Sequence, residues 1–354
     1  MERADIDPVM VYYNTRVRAM KSSLFSSTEL NELLDENELQ AITEYLLNSP
    51  YEADLAESLT RYEGADAIED AVSRNLVRTF NKLLKAAQGE FKELAAIFLQ
   101  RWDLVAVKAL LRTKHHNLSP QQAIEDIPPG PTLTVALIRD LVERDTMEGV
   151  VAGLVAWNRD LGQPLARNLA EYVETNNLSV LEDALDRRYF VENVRRLNGR
   201  GDEDSKFLVR FLQMEIDRIN LRILFQSRRD PDSARTLERL LPNGSLSRDV
   251  LERLAQAETP ELAAEVLAPT TYRDLAEPLH RSMQAGQFSG LERLFEGRLI
   301  SEIRTMARTN IFSIAVLMLY AWLKYNEVLN LRLIARAVSR HLPLDRVREE
   351  LIYA

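Results

Sequence analysis

Apolar residues recur along most of this chain at spacings of three and four, the period that lines up one face of a helix. Between 90 and 112 the face holds Phe91, Leu94, Ala95, Phe98, Leu99, Trp102, Val105 and Leu110. Between 207 and 225 it holds Phe207, Leu208, Phe211, Leu212, Ile219 and Ile223, and the segment 311–338 behaves the same way. These three segments predict long helices. Each carries an acid followed five positions later by a base: Asp103 and Lys108, Asp217 and Arg222, Glu327 and Arg332. The last helix, over about 324–340, has the same sequence character as the first, over about 12–25.

Breakers fall between the periodic stretches, at Ser49-Pro50, Ile127-Pro128-Pro129-Gly130-Pro131, Gly162-Gln163-Pro164, Pro242-Asn243-Gly244 and Ala268-Pro269. Ser119 before Pro120, and Thr259 before Pro260, place a capping side chain ahead of a proline at the first helical position. His115 and His116 are expected near a helix C-terminus, where partial positive charge suits the macrodipole.

An internal repeat organises these helices. Asp54-Leu55-Ala56-Glu57-Ser58-Leu59 matches Asp274-Leu275-Ala276-Glu277-Pro278-Leu279, with Pro164-Leu165-Ala166-Arg167-Asn168-Leu169 midway; the leading leucines are 110 residues apart each time. Glu38, Glu148 and Glu261 open similar helices upstream. Ile68-Glu69-Asp70, Leu181-Glu182-Asp183 and Leu291-Glu292-Arg293 follow downstream. A fourth anchor occurs as Val17-Arg18, Val107-Lys108, Leu221-Arg222 and Leu331-Arg332. Repeating units bury their faces against their neighbours. The expectation is an all-α protein of three pseudo-equivalent helical domains, over 1–101, 102–214 and 215–354, the last including a closing helix.

Composition agrees. Among 354 residues there are only 12 Gly and 13 Pro, the two residues that cost most inside a helix. With no Cys, disulfides and thiolate metal sites are excluded. The formal net charge of −9 opposes binding to phosphates or anionic lipid. The pairs Arg187-Arg188, Arg195-Arg196 and Arg228-Arg229 do not grow into a basic tract, so no nucleic-acid partner is expected. Met1-Glu2-Arg3-Ala4-Asp5 leads into no apolar signal core. The longest apolar run, Ile311 to Leu323, would span roughly 20 Å as a helix, short of the ~30 Å hydrocarbon core. A buried helix is expected there, not a transmembrane span.

The chemistry is thin. Asn198-Gly199-Arg200-Gly201 precedes Asp202-Glu203-Asp204, which repels phosphate, so the segment reads as an interhelix turn with an acidic helix start. Glu182-Asp183-Ala184-Leu185-Asp186 has the carboxylate spacing of a magnesium-binding helix, but the matching positions of the other copies change charge, as on an exposed face. Glu277-Pro278-Leu279-His280 has the spacing of one di-iron half-site without a second. No catalytic residue, metal ligand or cofactor site is expected. Trp102, Trp157 and Trp322 read as core. Arg18, Lys108, Arg222 and Arg332 admit two readings: long side chains paired locally with Asp103, Asp217 and Glu327, or a pseudo-symmetric ring of positive charge facing a partner.

Three stretches carry a resemblance. Tyr12-Tyr13-Asn14-Thr15-Arg16-Val17-Arg18-Ala19-Met20-Lys21-Ser22-Ser23-Leu24, the helix Trp102-Asp103-Leu104-Val105-Ala106-Val107-Lys108-Ala109-Leu110-Leu111-Arg112, and the ending Leu342-Pro343-Leu344-Asp345-Arg346-Val347-Arg348-Glu349-Glu350-Leu351-Ile352 resemble the C subunits of archaeal and bacterial A/V-type ATP synthases, counterparts of the eukaryotic V-ATPase d subunit. Ala106 stands where that family often has Asn, a residue present here as Asn220 and Asn330. The resemblance implies a funnel of three helical domains with pseudo-threefold symmetry. It implies a non-catalytic socket that couples the central shaft to the membrane proteolipid ring, peripheral on the cytoplasmic face, with no cofactor. The runner-up is a free-standing helical scaffold for another protein; a third reading is an enzyme using the acidic cluster at 182–186.

Overall fold

The computed structural model describes residues 8–127, 130–227, 236–285 and 289–352. Pro128, Pro129, the pair Arg228-Arg229 and the segment Met1 to Asp5 lie outside them. Among the described residues every regular element is helical and none is a strand, as the periodicity predicts. None of these helices is long and apolar enough to cross a membrane.

The chain forms two compact units. The first comprises Met1–Trp157 with Met306–Ala354, the second Asn158–Thr305. In chain order the helices are α1 (Pro8–Lys21), α2 (Ser27–Glu36), α3 (Leu39–Leu47), α4 (Glu52–Ser58), α5 (Gly64–Ala86), α6 (Gly89–His115), α7 (Pro120–Asp126), α8 (Val135–Val142) and α9 (Met147–Trp157). There follow α10 (Arg159–Thr175), α11 (Ser179–Asp186), α12 (Glu192–Leu197), α13 (Glu203–Ser227), α14 (Thr236–Arg239), α15 (Arg248–Gln256), α16 (Pro260–Leu267), α17 (Ala276–Ala285) and α18 (Ser289–Thr309). The last are α19 (Ile314–Ser339) and α20 (Leu344–Glu350).

Helix starts follow from local chemistry. Ser26 and Ser119 make capping boxes with Glu29 and Gln122, each side chain satisfying an orphan backbone donor of the other's turn. Thr134, Ser247, Thr259 and Ser313 also accept from first-turn amides. Pro120 and Pro260 occupy the first turn, where no N–H is missed. His115 and His116 close α6 at its negative end. The turn after α12 has Gly199 at φ +91°, and α13 opens on Glu203 and Asp204.

In the first unit α19 is the hub, packed on α5, α1, α6, α2 and α3. Trp102 is buried between rings, 5.1 Å from Phe80, 5.2 Å from Phe98 and 5.2 Å from Tyr325. In the second unit α16 packs on α15 and α17, α10 on α11, and α13 on α12, α14 and α15. The repeated apolar positions are core in every copy: Val17, Val107, Leu221 and Leu331; Ile68, Leu181 and Leu291; Leu55, Leu165 and Leu275.

Four local readings change. The segment at about 324–340 is not a separate helix, because Lys324 to Glu327 contain no breaker and α19 runs through them, buried. The first helix ends at Lys21, where the serines before the Ser26 cap turn the chain. Pro164 does not stop a helix: it lies in the second turn of α10, near an exposed Asp160 whose freed carbonyl can meet water. Val105 is exposed while Asp103 is buried, because α6 is surrounded on most sides and its one open stripe falls at Val105. A π-helical turn, Arg187–Val191, joins α11 to α12; the periodicity does not foretell it.

Candidate functional site

The residues that stand out are buried acids on the three long helices. Asp103 of α6 is 2% exposed, Asp217 of α13 is 0% and Glu327 of α19 is 4%. A buried carboxylate is costly unless its lone pairs are filled, and each accepts at least one backbone N–H from a loop that leads into a capped helix.

Asp103 Oδ1 accepts from the Thr132 and Leu133 amides at 2.9 and 2.8 Å, and Oδ2 accepts from Thr132 Oγ1 at 2.8 Å. Thr134 then caps α8. Asp217 Oδ1 accepts from the Leu246 amide at 3.1 Å. Its Oδ2 accepts from the Ser245 amide at 3.0 Å, Ser245 Oγ at 2.5 Å and Tyr272 Oη at 2.8 Å; Ser247 caps α15. Glu327 Oε2 accepts from the Phe25 amide at 2.5 Å, and Ser26 caps α2. Its Oε1 accepts from Tyr51 Oη at 2.6 Å and Lys324 Nζ at 2.9 Å.

Two glycines make room for the loops. A Cβ on Gly130 would lie 2.2 Å from Asp103 Oδ1 and 2.9 Å from its Cα; one on Gly244 would lie 2.2 Å from Asp217 Oδ1. No other residue permits so close an approach.

Burial pushes the Asp103 and Asp217 carboxyls above the usual aspartate range, and the loop donors pull them partly back. Burial also pushes the Tyr51 and Tyr272 hydroxyls up, reinforced by Glu327 and Asp217. Lys324 is held below the ordinary lysine value by burial, against the pull of Glu327. It also donates to Tyr51 Oη at 2.7 Å, with Nζ 4.0 Å from the centre of that ring.

The four basic candidates are placed differently from one another. Arg18 is exposed on α1 and donates to the Ala307 carbonyl at 3.3 Å. Lys108 is buried in α6. Arg222 lies 3.8 Å from Glu292, which Arg218 also approaches at 3.8 Å. Arg332 is buried, with Nε 3.3 Å from Glu69. Arg18, Lys108 and Arg332 belong to the first unit and Arg222 to the second.

In the remaining clusters Asp183 pairs with Arg239 at 2.8 Å and Asp186 is buried, so the 182–186 segment is not simply a solvated face. His280 Nε2 lies 2.9 Å from Glu261, which holds that carboxyl down to about 2. Among the described residues no group of three or more His, Asp or Glu side chains is arranged to hold a metal ion. Trp102 and Trp322 are core, and Trp157 is half-buried. Sequence reasoning missed Thr132, Ser245, Tyr51 and Tyr272. The hydroxyl following a glycine in both Gly130-Pro131-Thr132 and Gly244-Ser245 was the available signal.

Asp217→Asn keeps the shape but turns an NH2 toward amide and hydroxyl donors, so it is expected to cost about 1–3 kcal/mol at neutral pH. The pH dependence has a definite sign. A carboxyl raised in the folded state contributes stability that is complete below the ordinary 3.8 and is lost as pH rises through the raised value. Denaturant unfolding of both proteins from about pH 3 to 7 is therefore expected to show the advantage over Asp217→Asn shrinking as pH rises; an advantage that grows would contradict the assignment.

The chain matches the family model described as ATP synthase (C/AC39) subunit over residues 13–350. It is 30% identical to the A-type ATP synthase C subunit of Methanosarcina acetivorans, covering 96% of this chain and 92% of that protein. It is 28% identical to the protein of the same name from Methanococcoides burtonii, covering 96% and 93%. It is also 28% identical to that of Haloferax volcanii, covering 96% and 97%. The match over 13–350 spans all three buried carboxylates, and the chain belongs to the ATP synthase (C/AC39) subunit family.

Proposed function

We propose that this protein is a non-catalytic central-stalk subunit of an A/V-type rotary ATPase or ATP synthase, a socket that couples the central shaft to the membrane proteolipid ring during ion translocation. It would sit peripherally, on the cytoplasmic face, through contacts with those protein partners. The family match over 13–350 supports the assignment to the complex. One structural observation supports the mechanical role: the same buried carboxylate anchor recurs on α6, α13 and α19. A part that transmits torque must not yield at its loops. Each anchor fastens an irregular loop to the middle of a long helix through charge-assisted hydrogen bonds, the stronger kind.

The division into three copies over 1–101, 102–214 and 215–354, arranged as a pseudo-threefold funnel, belongs to the same proposal. The anchor supports it, since α19 takes its donor from Phe25 near the start of the chain, where α6 and α13 take theirs from the loops that follow them. Arg18, the exposed member of the four basic positions, is the one proposed to face a partner.

The test compares the rotary complex in proteoliposomes with and without this protein. Without it, ATP hydrolysis by the soluble head should continue while ATP-driven ion pumping is lost, and adding the purified chain should restore pumping. Pumping that persists undiminished in its absence would overturn the coupling role.

A further inference from the structure

Three residues beyond the anchoring acid, two of the long helices carry an asparagine that closes a second clamp. Asn220 Nδ2 donates to the Leu241 carbonyl at 2.9 Å, and the Leu241 amide donates back to Asn220 Oδ1 at 2.7 Å. Asn330 does the same for Ile352, with both bonds at 2.9 Å. The clamped residues lie 21 and 22 positions after their asparagines. Both asparagines are buried, and each pairs one backbone N–H and one C=O: those of the buried Leu241 and those of Ile352, whose side chain is exposed.

On α6 the matching position is Ala106, fully buried and without an amide. The residue that corresponds to Leu241 and Ile352 is Ile127, itself 2% exposed. Its backbone is nevertheless paired. The Ile127 amide donates to the Ala123 carbonyl at 3.0 Å as the end of α7. The Ile127 carbonyl receives Nη1 and Nη2 of Arg332, each at 3.4 Å. Arg332 is steadied by Glu69, which accepts from its Nε at 3.3 Å and from Nε and Nη2 of Arg336 at 2.5 Å each.

We propose that Arg332 is a positioning residue that replaces the asparagine missing at Ala106: its guanidinium fork supplies the Ile127 carbonyl with the donors that Asn220 and Asn330 supply to Leu241 and Ile352. The substitution changes what is tied to what. The two asparagines hold a segment that follows their own helix, whereas Arg332 reaches from α19 to a segment that follows α6. Five and six residues beyond Ile127 stand Thr132 and Leu133, the donors to Asp103. Arg332 therefore sets the approach of the loop to its anchor. Two guanidinium nitrogens on one carbonyl, with Nε turned to Glu69, is an arrangement that a lysine ammonium cannot copy.

Amide hydrogen exchange on the full chain tests this. Arg332→Met is expected to speed exchange at Thr132 and Leu133 at least tenfold, while the asparagine-clamped amides of Leu241 and Ile352 keep their wild-type rates. Ala106→Asn added to Arg332→Met should restore protection at Thr132 and Leu133, and Arg332→Lys should not. Unchanged exchange in Arg332→Met, an equal rise at Leu241 and Ile352, or no recovery in the double variant would overturn the proposal. If Arg332→Met does not fold, recovery of folded protein by Ala106→Asn supports the replacement, and failure to recover it counts against.

Discussion

A carboxylate buried in the middle of a long helix, filled by backbone N–H groups from a loop, is the interaction on which the rest of this protein depends. Isolated in an apolar interior such a charge would cost several kcal/mol. With amides and hydroxyls on both oxygens it becomes a fixed point for chain that has no secondary structure of its own. Asp103, Asp217 and Glu327 all do this, and in each case the loop passes directly into an N-capped helix. The end of one element and the start of another are thus set by a single side chain.

The three versions differ in ways their chemistry explains. Aspartate is short, so the loop must come close, and Gly130 and Gly244 provide the space. Glutamate reaches farther by one methylene, and Glu327 receives Phe25, Tyr51 and Lys324 without a glycine beside it. Lys324 brings a second buried charge, which makes this anchor an ion pair as well. Its partners Phe25 and Tyr51 lie about three hundred residues away along the chain, which fastens the early helices of the first unit to α19.

Much of the fold was legible in the sequence because it rests on local chemistry. The three long helices follow from apolar period, their neighbours from caps such as Ser119 and Thr259, and the repeated core positions from spacing alone. The acids at Asp103, Asp217 and Glu327 were visible as a recurring feature, but their partners were not. On a helix buried all round, periodicity does not say which way a carboxylate turns, and its donors come from loops nearly thirty residues away or from the other end of the chain. Local pairing of these acids with the bases five positions on is not what forms, because five positions is about 140° round a helix; Arg222 goes to Glu292 and Arg332 to Glu69. Ala106 stands out in the sequence against Asn220 and Asn330, but only the packing of α19 shows what fills its place.

The central claim is that these loops are held as firmly as helix by the buried acids. Site-resolved hydrogen exchange of the intact chain measures this directly at Phe25, Thr132, Leu133, Ser245 and Leu246. The account predicts that these amides exchange as slowly as the helical amides beside Asp103, Asp217 and Glu327. Exchange as fast as that of an unstructured, solvent-exposed amide would contradict it.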